Sequence, residues 1–318
     1  MPEYLAPGVY VEEISSGAKP IEGVGTSTAG FVGGAERGPE TPRLIASFLE
    51  YQRWYGGYVP DHSYLAYAVQ GFFDNGGQRC FISRVTHQGG GDPANTASLA
   101  QGNVGPFRVF AVGRGAWGNN VAIKITPIPE TPPLARVFVI YYRNLPNPFV
   151  DPTDPANALN PARRAPDYTE VFEGVTHVPG ASNNVLKVVN SSSKLVRIGF
   201  AAPPAPLPLV AFGFLANGLD GGDLITPDFV GGEAAVLPAS ILDDPIYQNG
   251  TGLTALANVD EIAILAAPDD VDVGQPLVDE LINQCERLKD RFAVVSAAQG
   301  QQNVTPVRPP RDSTYAAF

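Results

Sequence analysis

The residues whose types could do chemistry are few and scattered. Three histidines, His62, His87 and His177, stand far apart in the chain. None falls in the H-E-x-x-H or H-x3-H spacing that places two imidazoles on one metal, and each reads as a loop residue. No G-x-S-x-G turn marks a nucleophile. Gly23-Val24-Gly25-Thr26-Ser27-Thr28 has the glycines of a dinucleotide loop, but no strand precedes it and the third glycine is missing. There is no G-x-x-x-x-G-K-[ST] element and so no lysine placed to hold phosphates. Cys80 and Cys285 lie in apolar stretches, which predicts buried, inert thiols rather than a disulfide or a metal cage. No cofactor is implied.

Acids are the one uneven feature. Between Arg197 and Arg287 there are fourteen acids and no base, with Asp269, Asp270 and Asp272 the densest group. That group lacks the alternate ligands, central glycine and bidentate Glu of a calcium loop. It reads as a solvated negative face, or as a surface that meets a basic patch on a neighbouring subunit.

The elements that must position these residues are short. Glycine (34) and proline (31) are abundant in 318 residues, which excludes a mostly helical bundle. Residues 29–32 and 80–85 read as strands, and 47–55 and 63–74 as helices. In the second helix Leu65, Val69 and Phe72 share a face. Short β runs follow at 107–112, 121–126, 136–142, 168–172, 185–189 and 195–200, with proline-rich loops at 145–166 and 201–208. The α/β pattern returns with a strand at 261–266, a helix over 275–289 and a strand at 292–295. Val278, Ile282 and Cys285 form one apolar row of that helix, with Pro276 at its start and Arg287 and Lys289 at its end. The expected fold is an α/β core with a β-rich insertion domain and an extended N-terminal arm. Its expected parts are an arm at 1–20, a first core part at 21–98, an outward insertion at 99–249 and a second core part at 250–318.

Net charge is −11 and no Lys/Arg cluster could neutralise a run of phosphates, so nucleic acid and anionic membrane are poor partners. No run of about 18 apolar residues supports direct membrane insertion. The first six residues lack a signal-type run, which predicts a protein made in the cytoplasm. Charged residues are only 17 %, against roughly 25 % in soluble domains, so much of the surface is expected to be covered by something else. Val9, Tyr10, Val11, Glu12, Glu13 and Ile14 form an extended run between Pro7-Gly8 and Ser15-Ser16-Gly17, with no hairpin partner nearby. Gly17, Gly23 and Gly25 follow as hinge positions.

Tyr4-Leu5-Ala6-Pro7-Gly8-Val9-Tyr10-Val11-Glu12-Glu13, continued by Pro20-Ile21-Glu22-Gly23-Val24-Gly25-Thr26-Ser27-Thr28-Ala29-Gly30-Phe31-Val32-Gly33, closely resembles the contractile tail sheath proteins of phages and of phage-tail-like injection particles. Three later pieces agree in order: Phe72-Phe73-Asp74-Asn75-Gly76-Gly77 with the run to Val85, Gly115-Ala116-Trp117-Gly118-Asn119, and residues 261–268 with Cys285-Glu286. The resemblance implies a non-enzymatic subunit that polymerises helically around an inner tube, contracts, and meets baseplate and terminal cap proteins. Strand 9–14 would then be donated to a neighbour's sheet. No catalytic triad carries over from the subtilisin-like topology ascribed to such cores. The ending, 312–318, resembles a point where family members run on into a further domain expected to grip the inner tube, and that domain is not among these 318 residues. Two other readings stay open: a non-contracting cap or baseplate-proximal relative, and a soluble α/β hydrolase with the insertion as a lid.

Overall fold

The computed structural model describes residues 28–59, 63–88, 95–129, 134–200, 210–232, 250–297, 307–309 and 311–318. The arm strand at 9–14, the three hinge glycines, His62 and the loop at 201–208 lie outside them. Among the described residues the fold is mixed α/β, with three sheets and few helices.

A six-stranded sheet is built from both ends of the chain. Its strands are β1 (Thr28–Gly33), β2 (Arg43–Ile45), β3 (Arg79–Arg84), β11 (Ile264–Ala266), β12 (Phe292–Val294) and β13 (Ala316–Ala317), in the order β13-β12-β11-β1-β3-β2. All neighbours are parallel except β2, which runs against β3. Strand β1 is buried at every position, as expected of a central parallel strand with both faces covered.

Helices α1 (Phe48–Tyr55) and α2 (Leu65–Asp74) cover one face, closing a core of Phe31, Tyr51, Tyr55, Leu65, Val69 and Ile82. Ser47 starts α1 by accepting from the Glu50 amide at 3.2 Å, which satisfies one of the amides that a helix start leaves open, while the Glu50 carboxylate accepts from the Ala46 amide just before the cap at 3.0 Å. Gly56, at φ 85°, ends it in a conformation that disfavours a side chain.

The short helices α4 (Thr226–Val230), α5 (Gly252–Leu256) and α6 (Asp270–Val273) and the longer α7 (Gln275–Leu288) lie towards the other face. The apolar row foreseen in α7 is real: Leu277, Val278, Leu281, Ile282 and Cys285 are buried there, each worth about 2 kcal/mol of burial. Lys289 closes the helix at φ 60°.

Between β3 and α4 the chain builds two antiparallel sheets from β4 (Gln101–Val104), β5 (Phe107–Ala111), β6 (Val121–Ile128), β7 (Leu134–Tyr141), β8 (Tyr168–Val175), β9 (Val196–Phe200) and β10 (Ala211–Phe214). Their orders are β10-β6-β7-β8 and β4-β5-β9. Alternate residues of β7, Ala135, Val137, Val139 and Tyr141, point into the core shared by both sheets. A bridge between Gln101 and Ala216 joins the sheets along one side. On the other, the buried Glu170 carboxylate accepts from Ser193 Oγ and from the Lys194 amide.

One expected strand is a helix. Residues 185–189 belong to α3 (Val185–Ser192), whose start is capped by Asn184 Oδ1 accepting from the amides of Leu186 and Lys187 at 3.0 and 3.4 Å. Val185 and Val189 lie one turn apart and are both buried, so the β-branched run serves a helix face instead of a sheet.

The sandwich is fastened to the six-stranded sheet by two adjacent residues. Glu36 accepts from Tyr141 Oη at 2.7 Å, from the Gly57 amide at 3.0 Å and from Arg143 Nη2. Burial works to raise its carboxyl pKa, but these bonds prevail and hold it below the ordinary glutamate value. The Arg37 guanidinium donates to the carbonyls of Gln52, Arg53 and Trp54 at the end of α1, and lies 5.2 Å from the ring centres of both Tyr141 and Tyr168.

Candidate functional site

In an open α/β sheet, ligands bind outside the carboxyl ends of the strands where the strand order reverses. Here that point lies between β1 and β11. The connection from β1 to β3 runs through α1 and α2 on one face, and the one from β11 to β12 runs through α7 on the other.

The crevice is filled by the protein itself. Asp269, three residues beyond β11, turns its carboxylate into it and accepts from the Gly34 amide at 2.9 Å and the Tyr64 amide at 2.7 Å. Ser63 Oγ closes the ring by donating to the Gly34 carbonyl at 2.6 Å. A Cβ on Gly33 would stand 2.9 Å from Asp269 Oδ2 and 3.2 Å from Leu65 Cβ, so the strand needs glycine there. Asp269 is only 3 % exposed, and burial raises its carboxyl pKa above the ordinary value against the pull of its amide donors.

The expectation of a solvated acidic face at 269–272 is therefore corrected. Asp269 and Asp270 are both buried, and Asp272 alone of the three is exposed. Asp270 Oδ2 accepts from the Ser296 amide at 2.9 Å, whereas Oδ1 is buried with no partner among the described residues. The three acids are divided between two tasks inside the fold. Among the described residues no group of three or more His, Cys, Asp or Glu is placed to hold a metal.

Burial also raises the Asp270 carboxyl pKa. A carboxyl group whose pKa is higher folded than unfolded takes up a proton on folding in the window between the two values. Its contribution to stability is complete below the unfolded value and is lost as pH rises through the folded one. Asp270→Asn removes the buried charge while keeping an acceptor for Ser296. It should be more stable than wild type at pH 7, because a neutral amide is buried at lower cost than a charged carboxylate. That advantage should shrink as pH falls towards 4. Urea denaturation of the two proteins across this range checks both sign and slope.

His87 and Asp228 come together across 141 residues: Nδ1 stands 2.9 Å from Oδ2, and both side chains are buried. Asp228 also accepts from the amides of Gln88 at 2.8 Å and Ile225 at 3.0 Å. A buried carboxylate against Nδ1 is the contact that orients the imidazole in a hydrolytic triad. Among the described residues no hydroxyl or thiol is hydrogen-bonded to its other nitrogen, and the pair ties the end of β3 to α4. The sequence reading of His87 as a loop residue has the element right and misses the partner. Cys80 and Cys285 are buried, as expected, and burial pushes each thiol up to about 12.

Open strand edges are the other feature of note. The six-stranded sheet ends in β2 on one side and β13 on the other, with no further strand paired to either among the described residues. Leu44 on β2, and Phe292 and Val294 on β12, are exposed apolar side chains near these edges.

No protein-family model matches the chain, and no curated protein does. Among the solved structures similar to it are two sheath tail proteins. One is a sheath tail protein from Listeria innocua, with 13 % identity over 85 % of this chain and 47 % of that one, at a TM-score of 0.46. The other is a sheath tail protein from Desulfitobacterium hafniense, with 15 % identity over 91 % of this chain and 52 % of that one, at a TM-score of 0.42. The chain spans about half the length of these two proteins.

Proposed function

We propose that this chain is a structural subunit of the contractile sheath of a phage tail or phage-tail-like injection particle, assembled in the cytoplasm of the producing cell. The observation that carries the reading is the N-terminal sequence at 4–33, which resembles that family and ends in β1, the strand at the centre of the sheet. The self-filled crevice beside β1 favours a scaffold over a small-molecule enzyme.

In this reading strand 9–14 is added to the sheet of a second copy, main-chain bonds supplying the link and alternate side chains the register. Gly17, Gly23 and Gly25 let the folded part turn while the link holds. A head-to-tail contact of this kind does not close on itself and generates a helix of subunits. Energy for contraction is stored in contacts between folded parts that bury more area in the short state, so no nucleotide is required. Partners are further copies, an inner tube protein, and baseplate and terminal cap proteins.

The test is co-production with the inner tube protein and negative-stain electron microscopy. Striated tubes are expected. Uniformly monomeric particles in the presence of preformed inner tubes would count against the proposal.

A further inference from the structure

A cleft of about 380 Å³ opens beyond the end of β3, lined by Glu40, Arg84, Thr86, Arg114, Asp228 and Gly232 among others. The hydrogen bonds of its charged groups leave a one-sided remainder. Both Glu40 oxygens are taken, one by the Arg114 amide and one by Arg114 Nη1. Both Asp228 oxygens are taken by His87, Gln88 and Ile225.

Arg84 is 4 % exposed and all its bonds go to neutral carbonyls: Nε to Ala35, and Nη1 to Gly38 and Arg114, at 3.1, 3.3 and 2.8 Å. It has no ion-pair partner among the described residues. Its Nη2, and Nε and Nη2 of Arg114, make no hydrogen bond there. The cleft thus holds two guanidinium groups and two carboxylates, Glu40 and Asp228, and since every carboxylate oxygen is already engaged within the protein, the unused capacity of its charged groups is donor only. Glu40 and Asp220 balance the Arg84 charge from a distance without bonding to it, and a guanidinium fork with unused N–H groups matches an oxyanion in shape as well as charge.

We infer that this cleft binds a small oxyanion, a carboxylate- or phosphate-bearing molecule held by Arg84 and Arg114. Gly232 offers a way to supply the charge from within. A Cβ there meets nothing within 4 Å among the described residues, and its backbone is not in the left-handed region, so a side chain at this lining position has room beside the cleft.

The probes are inorganic phosphate and succinate, titrated at constant ionic strength with chloride as the control, with thermal unfolding as the readout. A saturable rise in melting temperature is expected with at least one. A response to phosphate alone assigns a phosphate-type ligand, and one to succinate alone a carboxylate. Arg84→Lys keeps the charge and loses the fork, and should bind about tenfold more weakly. Gly232→Glu should melt above Gly232→Gln and no longer respond to either anion. No saturable response in the wild type, an unchanged affinity in folded Arg84→Lys, or equal melting of the two Gly232 variants would each overturn the assignment.

Discussion

Removal of residues 1–16 should leave the folded part intact and abolish tubes. Strand β1 is paired on both sides within its own chain, with β11 and with β3, so its own pairing does not depend on the arm. Under the proposed function, a donated strand of six residues makes four to six main-chain bonds of about 1 kcal/mol net each. Losing them weakens each contact by about 10³- to 10⁴-fold. Far-UV circular dichroism and the unfolding midpoint should match the full chain, while electron microscopy in the presence of the inner tube shows no sheath. Tubes of normal length and striation from the shortened chain would remove strand donation from the account, although the folded part could still be a sheath subunit by other contacts.

Asp269→Ala should be among the most damaging single substitutions in the folded part, costing about 2–4 kcal/mol. It strips the acceptor from two buried amides, those of Gly34 and Tyr64, and each orphaned donor costs about 1–3 kcal/mol. It also opens a void at the meeting point of β1, α2 and the turn after β11. Part of the loss is offset, because burying the carboxylate is itself unfavourable, as its raised pKa records. Asp269→Asn keeps one oxygen and must aim its amide group at the other donor, so an intermediate loss is expected. Urea midpoints at pH 7 rank the three proteins. If Asp269→Ala unfolds at the wild-type midpoint, the carboxylate does not hold the crevice closed.

The elements that sequence reading recovers are those whose burial follows a local period. Helix α7 announces itself through Val278, Ile282 and Cys285, and β7 through its inward alternation, because each period is written within one segment. Residues 185–189 read as a strand from their β-branched side chains and are the start of a helix, capped by Asn184, with Val185 and Val189 one turn apart on its buried face. The sandwich has room for the helix beside β8 and β9, and tertiary packing decides.

Site residues were less legible, because their partners are remote. Asp269 gains its role from Gly34, 235 residues away, and Asp228 from His87, 141 residues away. Local acid density cannot distinguish a solvated cluster from carboxylates that thread into a fold. Arg84 gave no signal, since a lone arginine at the end of a β run is ordinary until its carbonyl partners are seen. The short strands β2 and β13 have three and two residues, and too little sequence to carry a period.

The fastening at Glu36 and Arg37 has a mechanical consequence. A single turn of backbone grips the end of α1 with one set of atoms and the rims of β7 and β8 with another, a tie between the two parts in addition to the chain crossings and the bonds of Arg114. Carried through such a tie, a few degrees of roll by the six-stranded sheet would become, at the far end of the sandwich, a displacement that grows with distance from it.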